Sequence, residues 1–88
     1  MEIDYNNGIN HNDIIDIRPS FLFEKNNING SINIPKLLLM QNPNRYLSLD
    51  KTYYLICESG VSSLNCARVL NALGFRCYSI KGGIKNIV

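Results

Sequence analysis

The chain predicts a small α/β domain in three layers, a mostly parallel sheet flanked by helices. Short runs rich in β-branched and aromatic residues alternate with stretches of helical spacing, as in chains that build such sheets. The run Tyr53-Tyr54-Leu55-Ile56 is apolar or aromatic throughout, as a strand buried on both faces should be. It gives way at Cys57 to a short Gly/Ser loop, Glu58-Ser59-Gly60-Val61, and then to a helical pattern from Ser62 to Leu73. Strand, tight loop and helix form the repeating unit of a parallel sheet.

The bulk composition limits what such a domain can do. Eighty-eight residues make one domain, 1–88, with a single core and little to spare. Hydrophobic residues at 45% and charged residues at 18% belong to a globular chain and argue against disorder. A net charge of +2, with the basic residues dispersed, gives no footprint for nucleic acid. No apolar run approaches the roughly 20 residues of a membrane span. Met1-Glu2-Ile3-Asp4-Tyr5 lacks the charged and apolar regions of a signal peptide. Three cysteines, an odd number without CxxC spacing, point to reduced thiols and a cytoplasmic protein. No metal-ligand cluster and no cofactor motif is present.

The elements follow in order. Residues 1–12 are polar and Asn-rich, with a candidate edge strand over Glu2 to Tyr5 and a turn at Asn7-Gly8. His11, the only histidine, stands in this polar stretch and is expected to be solvated. Asp13 to Arg18 is β-branched and is stopped by Pro19, so it reads as a strand. Ser20 is placed to cap a short helix through Lys25, ended by Asn26-Asn27. Ile28 to Pro35 alternates apolar and polar residues, the pattern of a strand or extended segment. Lys36 to Met40 is an apolar helical turn, expected to pack in the core, and Asn42-Pro43-Asn44 breaks it. Thr52 to Ile56 is the next strand. The following helix carries Cys66, Val69, Leu70 and Leu73 at i, i+3, i+4 and i+7, with Gly74 at its C′ position. Arg76 to Ile80 is a last strand, and Lys81-Gly82-Gly83 turns the chain into a short helix ending at Val88.

The chemistry concentrates at Cys57. It stands where a strand ends and a helix begins, and open α/β sheets bind their ligands outside the carboxyl ends of the strands. Free N–H groups and the positive end of the dipole at a helix N-terminus favour the thiolate, the nucleophilic form of cysteine. Backbone N–H groups from Glu58 to Ser63 can form an anion-holding cradle, and Ser59, Gly60 and Ser62 suit its tight turns. Cys66 and Cys77 lack this setting and read as core residues, with Cys66 a resolving thiol only if exposed.

Asp16-Ile17-Arg18, Phe23, Ile28 to Pro35, Cys57 with Gly60, and Gly82-Gly83-Ile84 stand in one order and spacing. In these residues the chain resembles the single-domain rhodaneses. The resemblance implies a rhodanese-like fold and sulfur transfer through a persulfide on Cys57. The substrate-binding loop would be Glu58, Ser59, Gly60, Val61, Ser62 and Ser63, with no cofactor. The implied partners are a small sulfur donor, such as thiosulfate or a persulfide, and a thiol or cyanide acceptor. The family match also puts Asp16 and Arg18 at the catalytic rim, while an ordinary strand-end salt bridge explains the same pair.

Departures from the family pattern bear on activity. Asn26-Asn27 stands where the family often has Gly-His, and Leu22 where a glutamate is common. The loop carries an acid, Glu58, in place of a basic residue. A dianionic donor would be repelled, so weak thiosulfate turnover is expected. A binding module with the same fold but without catalysis is the alternative. Phosphatases with a Cys-x5-Arg loop share a similar fold, but the sixth position after Cys57 is Ser63, and a phosphoryl group would lack its bidentate partner.

Overall fold

The computed structural model describes residues 1–87. Five strands form one sheet: β1 (Glu2–Ile3), β2 (Ile14–Asp16), β3 (Ile32–Asn33), β4 (Thr52–Ile56) and β5 (Arg76–Ile80). Their order is β1-β5-β4-β2-β3, and every pairing is parallel. The register aligns Ile32, Ile15, Leu55, Ser79 and Glu2 in one row across the sheet. The longest strands, β4 and β5, are neighbours, so the Cys57 loop leaves from the best-paired part of the sheet.

The two faces are covered unequally. On one face Ile15, Leu55 and Tyr53 join Leu39, Cys66, Ala67, Leu70 and Phe75 in the main core. The helices supplying that side are α2 (Lys36–Gln41), α3 (Pro43–Tyr46) and α4 (Val61–Ala72). On the other face Ile14, Ile56 and Ile80 meet Ile28 and Ile84, with Tyr5 and Ile9 packed alongside. That thinner layer comes from loops and a 3-10 turn at Ile84–Asn86. Alternation along β4 sends Tyr53 and Leu55 to one core and Ile56 to the other, as a doubly covered strand requires.

Several local expectations need correcting. His11 is not simply solvated: it begins a 3-10 turn (His11–Asp13), stacks on Tyr5, bonds the Tyr5 hydroxyl, and reaches the Asn29 carbonyl. Helix α1 (Ser20–Lys25) has Pro19 at its N-cap, so Ser20 is its first residue and caps nothing. The segment from Ile28 is strand only at Ile32–Asn33, because Ser31 folds back on the Ile28 carbonyl around Gly30 (φ +94°). Asn42-Pro43-Asn44 does break α2, but Pro43 then starts α3 from the first helical position, where its missing N–H costs nothing. Only Leu39 of α2 is buried, while Leu37 is 70% exposed, so this turn is not simply core.

Helix α4 buries Ser63, Cys66, Ala67 and Leu70 and leaves Val69 and Leu73 exposed. The buried stripe is therefore rotated from the expected apolar one, because Ser63 is drawn inward by polar partners described below. Its end follows expectation. Gly74 (φ +102°) donates to the Asn71 carbonyl and Phe75 to that of Leu70, the paired bonds of a Schellman motif. The final helix is one 3-10 turn, and the expected terminus at Val88 lies outside the described residues.

Candidate active site

A pocket of about 470 Å³ opens at the C-terminal ends of the strands. Cys57 and Glu58 follow β4, Ile17 and Arg18 follow β2, and Pro35 and Lys36 lead from β3 into α2. Leu22 of α1 and Leu37 of α2 add apolar walls, and Ser62 of α4 a hydroxyl. Ligands of open parallel sheets bind at this edge.

Cys57 is 5% exposed, and its sulfur is held by the loop around it. The Gly60 N–H donates to Sγ at 3.1 Å and the Ser63 N–H at 3.3 Å. The Ser63 hydroxyl lies 3.2 Å from the sulfur. Gly60 is the N-cap of α4, has no side chain, and adopts φ +94°, a conformation natural to glycine. Ser63 is the third helical residue, so the thiol sulfur accepts the N–H that a Ser or Asp cap would otherwise take. Two N–H groups of the Glu58–Ser63 loop thus meet the Cys57 sulfur itself.

The other expected loop residues divide. Ser62 lines the pocket. Glu58 lines it too, with its carboxylate half exposed. Ser59 and Val61 point outward, Val61 being 67% exposed. Among the described residues no His, Cys, Asp and Glu gather as a metal site.

Asp16 and Arg18 form a buried pair. Arg18 Nη2 and Nε reach the Asp16 carboxylate at 2.8 and 3.0 Å, and the Arg18 N–H also donates to it. Hydrogen bonding to Asp16 raises the guanidinium above its already high range against the opposing effect of burial. Arg18 Nη2 also donates to the Asn26 carbonyl, and Nη1 stands 3.6 Å from Glu58. The pair is a salt bridge and Arg18 is a wall of the pocket, while Asp16 stands behind it.

Sequence alone gives Gly82-Gly83 as a turn before the last helix and assigns nothing to Lys36 or Ser79. Lys36 gives the pocket a second cation, though nothing in the Cys57 loop points to it. Gly83 (φ +65°) packs so tightly beneath the loop that a Cβ there would lie 2.5 Å from the Glu58 carbonyl oxygen. Ile84 and Lys85 then donate to the Cys57 and Glu58 carbonyls, so the Gly82-Gly83 turn braces the loop. Ser79 is fully buried, with its hydroxyl 2.6 Å from that of Ser63.

Cys66 and Cys77 are core residues, 2% and 1% exposed, and burial raises both thiols, Cys77 to about 11. With so little exposure Cys66 fails the condition set for a resolving thiol.

Known proteins share this fold. A protein of Staphylococcus saprophyticus subsp. saprophyticus superposes with a TM-score of 0.81 at 28% identity, over 86% of this chain and 75% of that one. A rhodanese-related protein of Thermoplasma volcanium gives 0.73 at 32% identity, over 83% and 72%. A NAD-dependent persulfide reductase of A. fulgidus gives 0.67 at 25% identity, over 92% of this chain but 16% of that larger one. No match was found among curated proteins. The family model described as "Rhodanese-like domain" matches residues 3–88, which take in the cysteine loop and all of the sheet except Glu2. By its sequence and by its fold, the chain belongs to the rhodanese-like domain family.

Proposed function

We propose that the protein is a sulfurtransferase in which Cys57 is nucleophile and sulfur carrier. The observation that carries the reading is the sulfur itself, set at a pocket wall and met by the Gly60 and Ser63 N–H groups. The Cys57 thiolate attacks the outer sulfur of a persulfide donor, R–S–S⁻. The new Cys57–S–S⁻ bond forms as the donor S–S bond breaks, and R–S⁻ leaves with the electron pair. An acceptor thiolate then attacks the terminal sulfur, forming its own persulfide and returning the Cys57 thiolate. No net oxidation occurs and no cofactor takes part.

Loop N–H groups left free at the start of α4 supply a site for the negative terminal sulfur. Ile17, Leu22 and Leu37 favour a donor with an apolar body, and Glu58 offsets the Arg18 and Lys36 charges that would otherwise draw a dianion. A persulfide is therefore the preferred donor over thiosulfate, in keeping with the likeness to a persulfide reductase. Reduced thiols at all three cysteines suit a cytoplasmic setting. Among the described residues no helix is long and apolar enough to cross a membrane.

Intact-mass spectrometry after addition of a low-molecular-weight persulfide tests the reading. The expected result is a gain of one sulfur atom, absent in Cys57→Ser and reversed by cyanide or thiol. Folded, reduced protein that gains no sulfur from either a persulfide or thiosulfate overturns it. The second reading, a binding module without turnover, is favoured by one observation: Glu58 lies against Arg18, placing an anion where a donor's charge would go.

A further inference from the structure

Behind Cys57, on the side away from the pocket, lies a closed hydroxyl chain. Ser63 and Ser79 are both fully buried, and their oxygens are 2.6 Å apart. Ser63 Oγ is 3.2 Å from Cys57 Sγ and 3.3 Å from the Gly60 carbonyl oxygen. Ser79 Oγ is 3.4 Å from that same carbonyl. Ser79 comes from β5, and the row across the sheet turns it toward α4 and the main core. A polar side chain at the centre of a parallel sheet needs a reason, since burial of a hydroxyl is tolerated only with partners.

Counting hydrogens supplies the reason. Each hydroxyl has one proton to give and two lone pairs to receive. While Cys57 is a thiol, its S–H donates to Ser63, Ser63 donates to Ser79, and Ser79 donates to the Gly60 carbonyl. All three protons run one way. Once the thiol proton has left to water in the pocket, the sulfur needs donors. The chain can then reverse by rotating two hydroxyls: Ser79 donates to Ser63, and Ser63 donates to the sulfur. The Gly60 carbonyl keeps the Leu64 N–H at 3.2 Å throughout. The sulfur then has three donors, the Gly60 and Ser63 N–H groups and the Ser63 hydroxyl, without movement of any heavy atom.

We infer that Ser79 is a positioning residue for Cys57, acting through Ser63 as a reversible hydroxyl relay that follows the charge on the sulfur. Its part is to donate to Ser63 whenever Ser63 donates to sulfur, which polarises and strengthens that second bond. The inference deepens the reading of Cys57 as the reacting sulfur and rests on it.

The test is the pH–rate profile of Cys57 alkylation by iodoacetamide, in wild type, Ser79→Ala, Ser63→Ala and the double variant. Ser79→Ala is expected to slow alkylation at neutral pH by about threefold and to move the profile midpoint up by about half a unit. Ser63→Ala moves it further, and the double variant matches Ser63→Ala alone, because Ser79 has lost its only route to the sulfur. Superimposed profiles for wild type and Ser79→Ala overturn the relay, as do independent, additive effects of the two serines. Ser79→Thr and Ser79→Val separate hydroxyl from packing, since they share a shape and differ in the donor. The threonine is expected to keep the wild-type midpoint and the valine to shift it; equal midpoints overturn the inference. Alkylation does not require sulfur transfer, so the relay and the proposed function can fail separately: the mass experiment reports the one and the pH profile the other.

Discussion

The Arg18 guanidinium meets three residues at once: the Asp16 carboxylate, Asn26 through its backbone and side-chain oxygens, and, at 3.6 Å, the Glu58 carboxylate. The first two fix the guanidinium, because Asp16 is fully buried and its charge has no other compensation of this strength. The third is weaker, since the Glu58 side chain is 51% exposed and water screens it. Glu58→Gln removes a negative charge from the pocket wall without disturbing the buried pair. Thiosulfate turnover is expected to rise by about threefold in this variant, with persulfide turnover little changed. Steady-state rates with each donor check this, and an unchanged thiosulfate rate contradicts the electrostatic reading. At this scale the sequence was informative about Cys57 and silent about Lys36 and Ser79. A thiol before a Gly/Ser loop has a local signature, whereas a residue brought in by another strand has none.

The loop and its brace form one unit at the scale of elements. The Gly82-Gly83 turn lies 25 and 26 positions after Cys57 in the chain, yet it delivers the Ile84 and Lys85 N–H groups to the Cys57 and Glu58 carbonyls. Gly83→Ala would thrust a methyl group to 2.5 Å from one carbonyl oxygen and 2.6 Å from the other, at a positive φ that alanine resists. A loss of more than about 1 kcal/mol in stability is expected. Cys57 reactivity should fall as well, because the loop must shift to make room. Chemical denaturation and alkylation rates measure the two effects, and a variant with wild-type values for both would show that the brace is dispensable. The elements themselves were largely legible: β4, β5, and α4 with its Gly74 ending carry strong periodic or capping signals. The misread ones depend on neighbours. Helix α4 turns Ser63 inward to meet sulfur and a second serine, which no hydropathy pattern encodes, and α2 shows Leu37 to the pocket because the fold leaves that edge open.

Across the whole molecule, two buried thiols make stability depend on alkaline pH. Burial holds Cys77 neutral up to about 11, against an ordinary 9.0, and raises Cys66 in the same direction. Above pH 9 the unfolded chain therefore gives up these protons before the folded one does. Fewer protons on the unfolded chain mean that stability is intact below pH 9 and declines from there toward 11. For Cys77 the loss is at most about 1.4 kcal/mol per pH unit. Urea melts across this range should show the decline, with a shallower slope in Cys77→Ala even though that variant starts lower. Equal slopes would mean that other groups set the alkaline limit. The parallel sheet and the pocket at its carboxyl edge were readable from the alternation of elements. The uneven covering of its faces was not, because loops and 3-10 turns bury residues without leaving a period in the sequence.

The sulfur of Cys57 also stands in for a helix cap, taking the N–H of Ser63 that a polar side chain at Gly60 would otherwise hold. Reactant and fastener are thus the same atom. Whatever changes its strength as an acceptor, whether loss of a proton, arrival of a second sulfur or alkylation, also changes how firmly the first turn of α4 is fastened. In the proposed chemistry, cargo and firmness become a single variable, and an empty carrier is mechanically a different object from a loaded one.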